Sequence, residues 1–168
     1  MAQVYVSVGS NIDRQRNIAT ALQALTDTYG ELQQSSVYES AAVGFDSAPF
    51  YNLVLGFSTQ QSPQAVQQQL HAIENQCGRQ RTAALSARTM DLDLLLYDDL
   101  VMTDGKLLLP RDDINRYAFV LRPLAEIAGT ARHPVTAVSY TDMWAAFDDE
   151  QQPLTRIDWP PAPGSAEE

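Results

Sequence analysis

The segment Met90-Asp91-Leu92-Asp93-Leu94-Leu95-Leu96 constrains this chain more than any other. Its apolar and acidic residues alternate with period two, which a β-strand accommodates and a helix does not. Met90, Leu92, Leu94 and Leu96 are then expected on one face, with Asp91 and Asp93 together on the other. The apolar face demands a packed layer. The acidic face is not explained by core packing, because an unpaired charge is costly to bury.

The rest of the chain supplies that layer. Val4 to Val8 alternates as a first strand and is broken by Gly9-Ser10-Asn11. A helix follows from Asp13 to about Tyr29, with Ile18, Ala21, Leu22 and Leu25 on one side. Leu32 to Ser40 and Tyr51 to Thr59 are expected as the second and third strands, joined by an irregular stretch from Ala41 to Phe50. Ser62 suits a helix cap, Pro63 its first turn and Gly78 its exit, while Val66, Leu70, Ile73 and Cys77 form one stripe. Cys77 is therefore expected in the core. After the fourth strand, Thr89 to Tyr97, Asp104-Gly105 is expected to turn the chain into a short partner strand, Lys106 to Leu109. A helical stretch from Asp113 to Ile127 is expected to break near Pro123, and Thr141 to cap a last helix through Phe147. The order β-α-β-β-α-β predicts an α+β fold, a ferredoxin-like sandwich of mainly antiparallel sheet with flanking helices. One domain over residues 1–158 and a flexible acidic, proline-rich tail over 159–168 are expected.

Charge narrows the partners. Twenty-one Asp and Glu against eleven Lys and Arg give a net charge of −10, which disfavours nucleic acid and anionic membrane surfaces. No apolar run approaches the ~20 residues needed to span a bilayer, and no signal-peptide pattern follows Met1, so a cytoplasmic protein is expected. A single cysteine precludes an internal disulfide, and His71 and His133 are too far apart in sequence for a local ligand pair. Yet six of the ten arginines lie between Arg79 and Arg122, where seven basic residues balance seven acidic ones. Arg79, Arg81 and Arg88 lead straight into the acidic strand. Arginine forks suit phosphate, and paired hard carboxylates suit Mg²⁺, two ions of which can be shared with a polyphosphate. An isolated D-x-D is more often a solvated face; the adjoining arginines raise the metal reading above it. No P-loop motif is present.

Gly9-Ser10-Asn11, Gly78-Arg79-Gln80-Arg81, Arg88-Thr89-Met90-Asp91-Leu92-Asp93-Leu94-Leu95 and Pro110 followed by Phe119-Val120-Leu121 occur in one order. In that order they resemble the 6-hydroxymethyl-7,8-dihydropterin pyrophosphokinase family over about residues 1–150. The resemblance implies Mg-dependent transfer of pyrophosphate from ATP to the pterin hydroxymethyl group, releasing AMP in folate biosynthesis. It implies Asp91 and Asp93 as ligands of two Mg²⁺ ions and Arg79 and Arg88 as catalytic arginines on the phosphates. Glu74, Arg81, Arg111 and Arg116 would bind ATP. Phe50 and Phe119 would sandwich the pterin, Asn52 would read its edge, and Gly44 would begin the matching loop. Two loops, Ala41 to Phe50 and Gln80 to Ala87, would close over the substrates. A monomer is expected.

The chain departs from the family pattern in three motif positions, and is about one residue shorter both in the lid and in the first loop near Asp46 to Pro49. The lid motif Trp-Gly-Pro-Arg is Leu85-Ser86-Ala87-Arg88 here, the histidine after the proline is Arg111, and an arginine two positions before the phenylalanine is Tyr117, with Arg116 beside it. Two rivals stand against the leading reading: a non-catalytic pterin or nucleotide sensor, and a two-metal nucleotidyltransferase. Products separate all three.

Overall fold

A computed structural model describes residues 1–41, 48–77 and 90–161. Strand β1 (Ala2–Ser10) is an interior strand of the sheet and leads to helix α1 (Arg14–Tyr29). The helix stops at Gly30, whose φ of +81° suits a residue without Cβ and whose N–H closes on the Thr26 carbonyl at 2.8 Å. Two short strands follow, β2 (Gln33–Gln34) and β3 (Val37–Ser40), then the long β4 (Phe50–Thr59). Helix α2 (Pro63–Gln76) is capped by Ser62, whose hydroxyl accepts the Ala65 N–H at 3.1 Å. Strand β5 (Met90–Tyr97) is followed by α3 (Asp113–Arg116), α4 (Ala118–Ala128), α5 (Tyr140–Ala146) and β6 (Thr155–Ile157).

The strands lie in the order β5-β1-β4-β3-β6, with β2 also on β4, and every pairing is antiparallel. Each face carries its own core. On one, Val4, Val6 and Val8 meet Ile18, Ala21 and Leu25 of α1 and Val66, Leu70 and Ile73 of α2. On the other, Val54 meets Val120, Leu121 and Leu124 of α4 and Tyr140 of α5. The α+β sandwich expected from the element order is thus present, with helices on both faces.

Several local expectations are corrected. The predicted second strand is split in two because the Ser35 hydroxyl accepts the Val54 N–H at 2.9 Å, replacing a ladder bond with a side-chain one. In β5 the register slips between Tyr5 and Val6, which pair with Leu96 and Leu94, leaving Leu95 as an extra residue. Leu96 therefore joins the second core, whereas Met90, Leu92 and Leu94 stay in the first. The strand expected over Lys106 to Leu109 is reduced to one bridge, Met102 with Leu109; the next residue, Pro110, has no N–H with which to extend a ladder. The helix break falls at Tyr117, not at Pro123, which lies inside α4. Ser139, two residues earlier than expected, caps α5 by accepting the Asp142 N–H at 3.1 Å. Strand β6 on the edge of β3 had no counterpart in the sequence reading, and Trp159 packs half-buried against the first core.

Candidate functional site

The site grows from one register. Gly9 of β1 pairs with Asp91 of β5 on one side and with Asn52 of β4 on the other. Cross-strand partners project to the same face, so Asp91, Gly9 and Asn52 form a row across three strands. Asp93, Ser7 and Val54 form the next row. Adjacent strands lie ~4.8 Å apart, so the Asp91 and Asn52 backbones are separated by about 9–10 Å across the gap that Gly9 leaves. A Cβ at Gly9 would lie 3.4 Å from Asn52 Oδ1 and 3.6 Å from Phe50 Cδ2. The gap is the floor of a cavity of about 260 Å³ lined by both aspartates, Asn52, Phe50, Phe119 and Asp113.

Asn52 is buried, and its Nδ2 donates to Ser40 Oγ at 2.8 Å, the Tyr38 carbonyl at 3.2 Å and the Phe50 carbonyl at 3.4 Å. Two carbonyl acceptors on that side fix which end of the amide is nitrogen. Its donors are thereby committed within the protein, and Oδ1 is the end turned to the Gly9 gap. The amide accordingly reads a donor, such as a ring N–H or an amino group.

Three carboxylates, Asp91, Asp93 and Asp113, line the cavity. Arg111 pairs with two of them: its Nε donates to Asp113 Oδ2 at 3.1 Å and its Nη2 lies 3.7 Å from Asp93 Oδ1. Burial works against the Arg111 charge, but Asp93, then Asp113 and Asp91, outweigh it and hold its pKa above the ordinary value. Among the described residues, the Arg111 guanidinium adjoins all three acids. Among the described residues, no group of three or more His, Cys, Asp or Glu side chains is placed to hold a metal ion. Asp91 and Asp93 fit Mg²⁺ as a partial ligand set, because that ion usually keeps several waters and takes other ligands from substrate phosphates.

Phe50 and Phe119, both half-buried, bring aromatic surface to the cavity. Tyr117 stacks on Phe119 with ring centroids 5.0 Å apart and 18° between planes. Tyr117 is absent from the cavity lining but shares a neighbouring pocket with Phe119, so it backs the ring from the far side. Arg116 is exposed and away from the cavity, over the Tyr117 ring at 5.3 Å and 4.0 Å from Asp112. Glu74 is buried on α2 and accepts the Leu92 N–H of β5 at 2.7 Å, bracing the sheet edge without lining the cavity. Cys77 is half-buried against the first core, with its thiol directed at the Asn17 carbonyl (3.8 Å). Burial, then the nearby Glu74, raises its pKa, which suits a packing residue. Gly44, Arg79, Arg81 and Arg88 lie outside the described residues, as do Leu85, Ser86 and Ala87.

Some site residues escaped the sequence reading. Asp113 came through the turn that starts α3, with no motif to flag it. Arg14, almost fully buried, stacks 3.8 Å over Tyr51, pairs with Glu39 at 2.9 Å and donates to the Pro49 carbonyl at 3.3 Å. Asn11 donates to the Ala48 carbonyl at 3.3 Å. Together they hold the backbone immediately before Phe50.

Comparison with known proteins finds relatives that match most of the chain. A family model described as 7,8-dihydro-6-hydroxymethylpterin-pyrophosphokinase matches residues 5–129. The 2-amino-4-hydroxy-6-hydroxymethyldihydropteridine pyrophosphokinase of Haemophilus influenzae is 32% identical over 155 residues, covering 90% of this chain and 96% of that one. The enzyme of the same name from Aquifex aeolicus is 34% identical over 137 residues, 80% of this chain and 86% of that one. The folic acid synthesis protein fol1 of Pneumocystis carinii is 33% identical over 149 residues; this chain spans 87% of its own length there but only 20% of the fungal protein. The crystal structure of Plasmodium falciparum HPPK-DHPS superposes with a TM-score of 0.69 at 14% identity, covering 86% of this chain and 43% of that one, a likeness of fold.

Proposed function

The chain belongs to the 7,8-dihydro-6-hydroxymethylpterin-pyrophosphokinase family, and from that membership we propose that it transfers pyrophosphate from ATP to 6-hydroxymethyl-7,8-dihydropterin. The products are the pterin diphosphate and AMP. One observation carries the reading: the row Asp91–Gly9–Asn52, which sets an amide and a carboxylate on opposite sides of the gap at Gly9. A bicyclic ring over Gly9, between Phe50 and Phe119, presents its donor edge to Asn52 Oδ1 and its hydroxymethyl arm to the aspartates.

In the reaction the hydroxymethyl oxygen forms a bond to the β-phosphorus. The bond from that phosphorus to the α–β bridging oxygen breaks, AMP leaves with that oxygen, and the hydroxyl proton is released. Two Mg²⁺ ions on Asp91 and Asp93 would supply the positive charge that the triphosphate requires. Arg111, held at Asp93 and Asp113, adds a permanent cation at the same edge. Arg79 and Arg88 remain our proposed catalytic arginines, with Arg81, Glu74 and Arg116 as proposed nucleotide contacts. For Glu74 a bracing role on β5 is the contribution that the geometry favours. The same reading makes the protein a cytoplasmic monomer of folate biosynthesis. No helix among the described residues is long and apolar enough to cross a membrane.

Incubation with Mg-ATP and 6-hydroxymethyl-7,8-dihydropterin tests the assignment, with nucleotide and pterin products separated chromatographically. AMP and the pterin diphosphate are expected in equal amounts. ADP would mean phosphoryl transfer, free pyrophosphate would mean nucleotidyl transfer, and pterin binding without turnover would mean a sensor.

A further inference from the structure

Phe119 owes its direction to the break at Tyr117. Residues two apart on a helix point about 200° away from each other and cannot stack. Tyr117 and Phe119 stack because Tyr117 is extended, with φ −122° and ψ 125°, between α3 and α4. An extended residue between two helices leaves backbone groups in need of partners. Tyr117 satisfies its own: its N–H bonds to the Asp113 carbonyl at 3.0 Å, and its carbonyl accepts the Val120 and Leu121 N–H groups at 3.1 and 3.0 Å. The flanking groups, the Arg116 carbonyl and the Ala118 N–H, face the other side, as they do on one edge of a strand.

One side chain answers both. Gln152 Oε1 accepts the Ala118 N–H at 2.9 Å, and its Nε2 donates to the Arg116 carbonyl at 3.0 Å. The carboxamide thus stands where a neighbouring strand's peptide group would. Gln152 is itself located from both sides: its own N–H bonds to the Asp149 carbonyl at 2.9 Å, and the chain continues into β6, which is paired with β3. The segment lies beyond residue 129, where the family match ends.

We propose that Gln152 is a positioning residue for pterin recognition, acting through the Tyr117 break to hold Phe119 as one wall of the ring-binding cavity. The proposal rests on the functional reading above. It assigns the C-terminal segment a part in substrate affinity that neither touches the substrate nor belongs to the acidic, nucleotide-facing edge. Ring stacking is sensitive to tilt, so a wall free to rotate loses most of its contribution. Nucleotide affinity, which rests mainly on the aspartates and arginines away from the clamp, falls less than pterin affinity.

The test compares wild type with Gln152→Met, which keeps the volume and loses both bonds, and Gln152→Glu, which keeps the acceptor and loses the donor. Pterin affinity is read by ligand fluorescence, nucleotide affinity by calorimetry with a nonhydrolysable ATP analogue, and the clamp by hydrogen exchange at the Ala118 amide. Gln152→Met is expected to weaken pterin binding by about tenfold, with a faster-exchanging Ala118 amide and a clearly smaller loss of nucleotide binding. Gln152→Glu is expected to fall between, and carries the comparison alone if the methionine variant does not fold. Unchanged pterin affinity, or equal loss for both ligands, overturns the positioning role while leaving the functional reading intact. A wild-type protein that does not bind the pterin removes the functional reading, and this inference with it.

Discussion

Gly9→Ala separates ligand recognition from folding. Gly9 does not take a positive φ, so alanine adopts its backbone without strain. The new methyl would sit 3.4 Å from Asn52 Oδ1 and 3.6 Å from Phe50 Cδ2, ordinary contact distances that require nothing to move. Replacing a strand glycine also lowers the entropy of the unfolded chain, a gain of about 0.5–1 kcal/mol. Stability should therefore hold or rise slightly. The methyl, however, occupies the approach to Oδ1, and a ligand donor must come within roughly 2.7–3.2 Å of that oxygen. A buried acceptor deprived of its partner costs about 1–3 kcal/mol, so pterin affinity should fall by about 5- to 150-fold. Fluorescence titration with the pterin, thermal denaturation and calorimetry with an ATP analogue read the three effects separately. Wild-type pterin affinity in a folded Gly9→Ala protein would refute the placement of the ring over this gap.

Asp91→Ala and Asp93→Ala should each abolish turnover while shifting stability by less than about 1 kcal/mol, because both side chains are only half-buried and belong to neither core; product assays and melting curves decide, and unfolding of both variants would assign them a structural role. His133 is buried with Nδ1 accepting the Val135 and Thr136 N–H groups at 3.2 and 3.3 Å, and burial lowers its pKa despite the opposing influence of Asp112. The unfolded state then binds the proton first, so this contribution to stability is present above pH ~6.5 and is lost as pH falls toward the lower folded value. His133→Asn, which can still accept from those amides and does not titrate, should melt with a flatter pH dependence below about pH 6.5 than wild type; parallel curves would contradict this account.

How much was legible beforehand follows from the range of the forces involved. Alternation in Met90–Leu96 identified the strand and its acidic face, because side-chain direction in a strand is a local property. It placed Leu96 wrongly, because the bulge at Leu95 is visible only against the partner strand. The stripe Val66, Leu70, Ile73 and the Ser62 cap were legible for the same local reason. Pro123 is a conspicuous local signal, yet the break falls at Tyr117, where Gln152 from a distant turn supplies the missing partners. Asp113 and Arg14 carried no motif, since their roles depend on what the sheet brings beside them.

The residue order by itself determined the two amphipathic helices, the alternating strands, and the presence of paired carboxylates with arginines close by in the chain. These follow from spacing along one segment, and from side-chain chemistry that needs no neighbour. The tertiary structure decided which of those groups meet. Antiparallel register placed Asp91, Gly9 and Asn52 in one row although they are separated by 82 and 43 positions in sequence; that row made a floor from an absent side chain, while the pairing of β6 with β3 brought the C-terminal segment to the Tyr117 break. Register is fixed by the packing of two sheet faces at once, a constraint that belongs to the whole fold and to no single stretch of it.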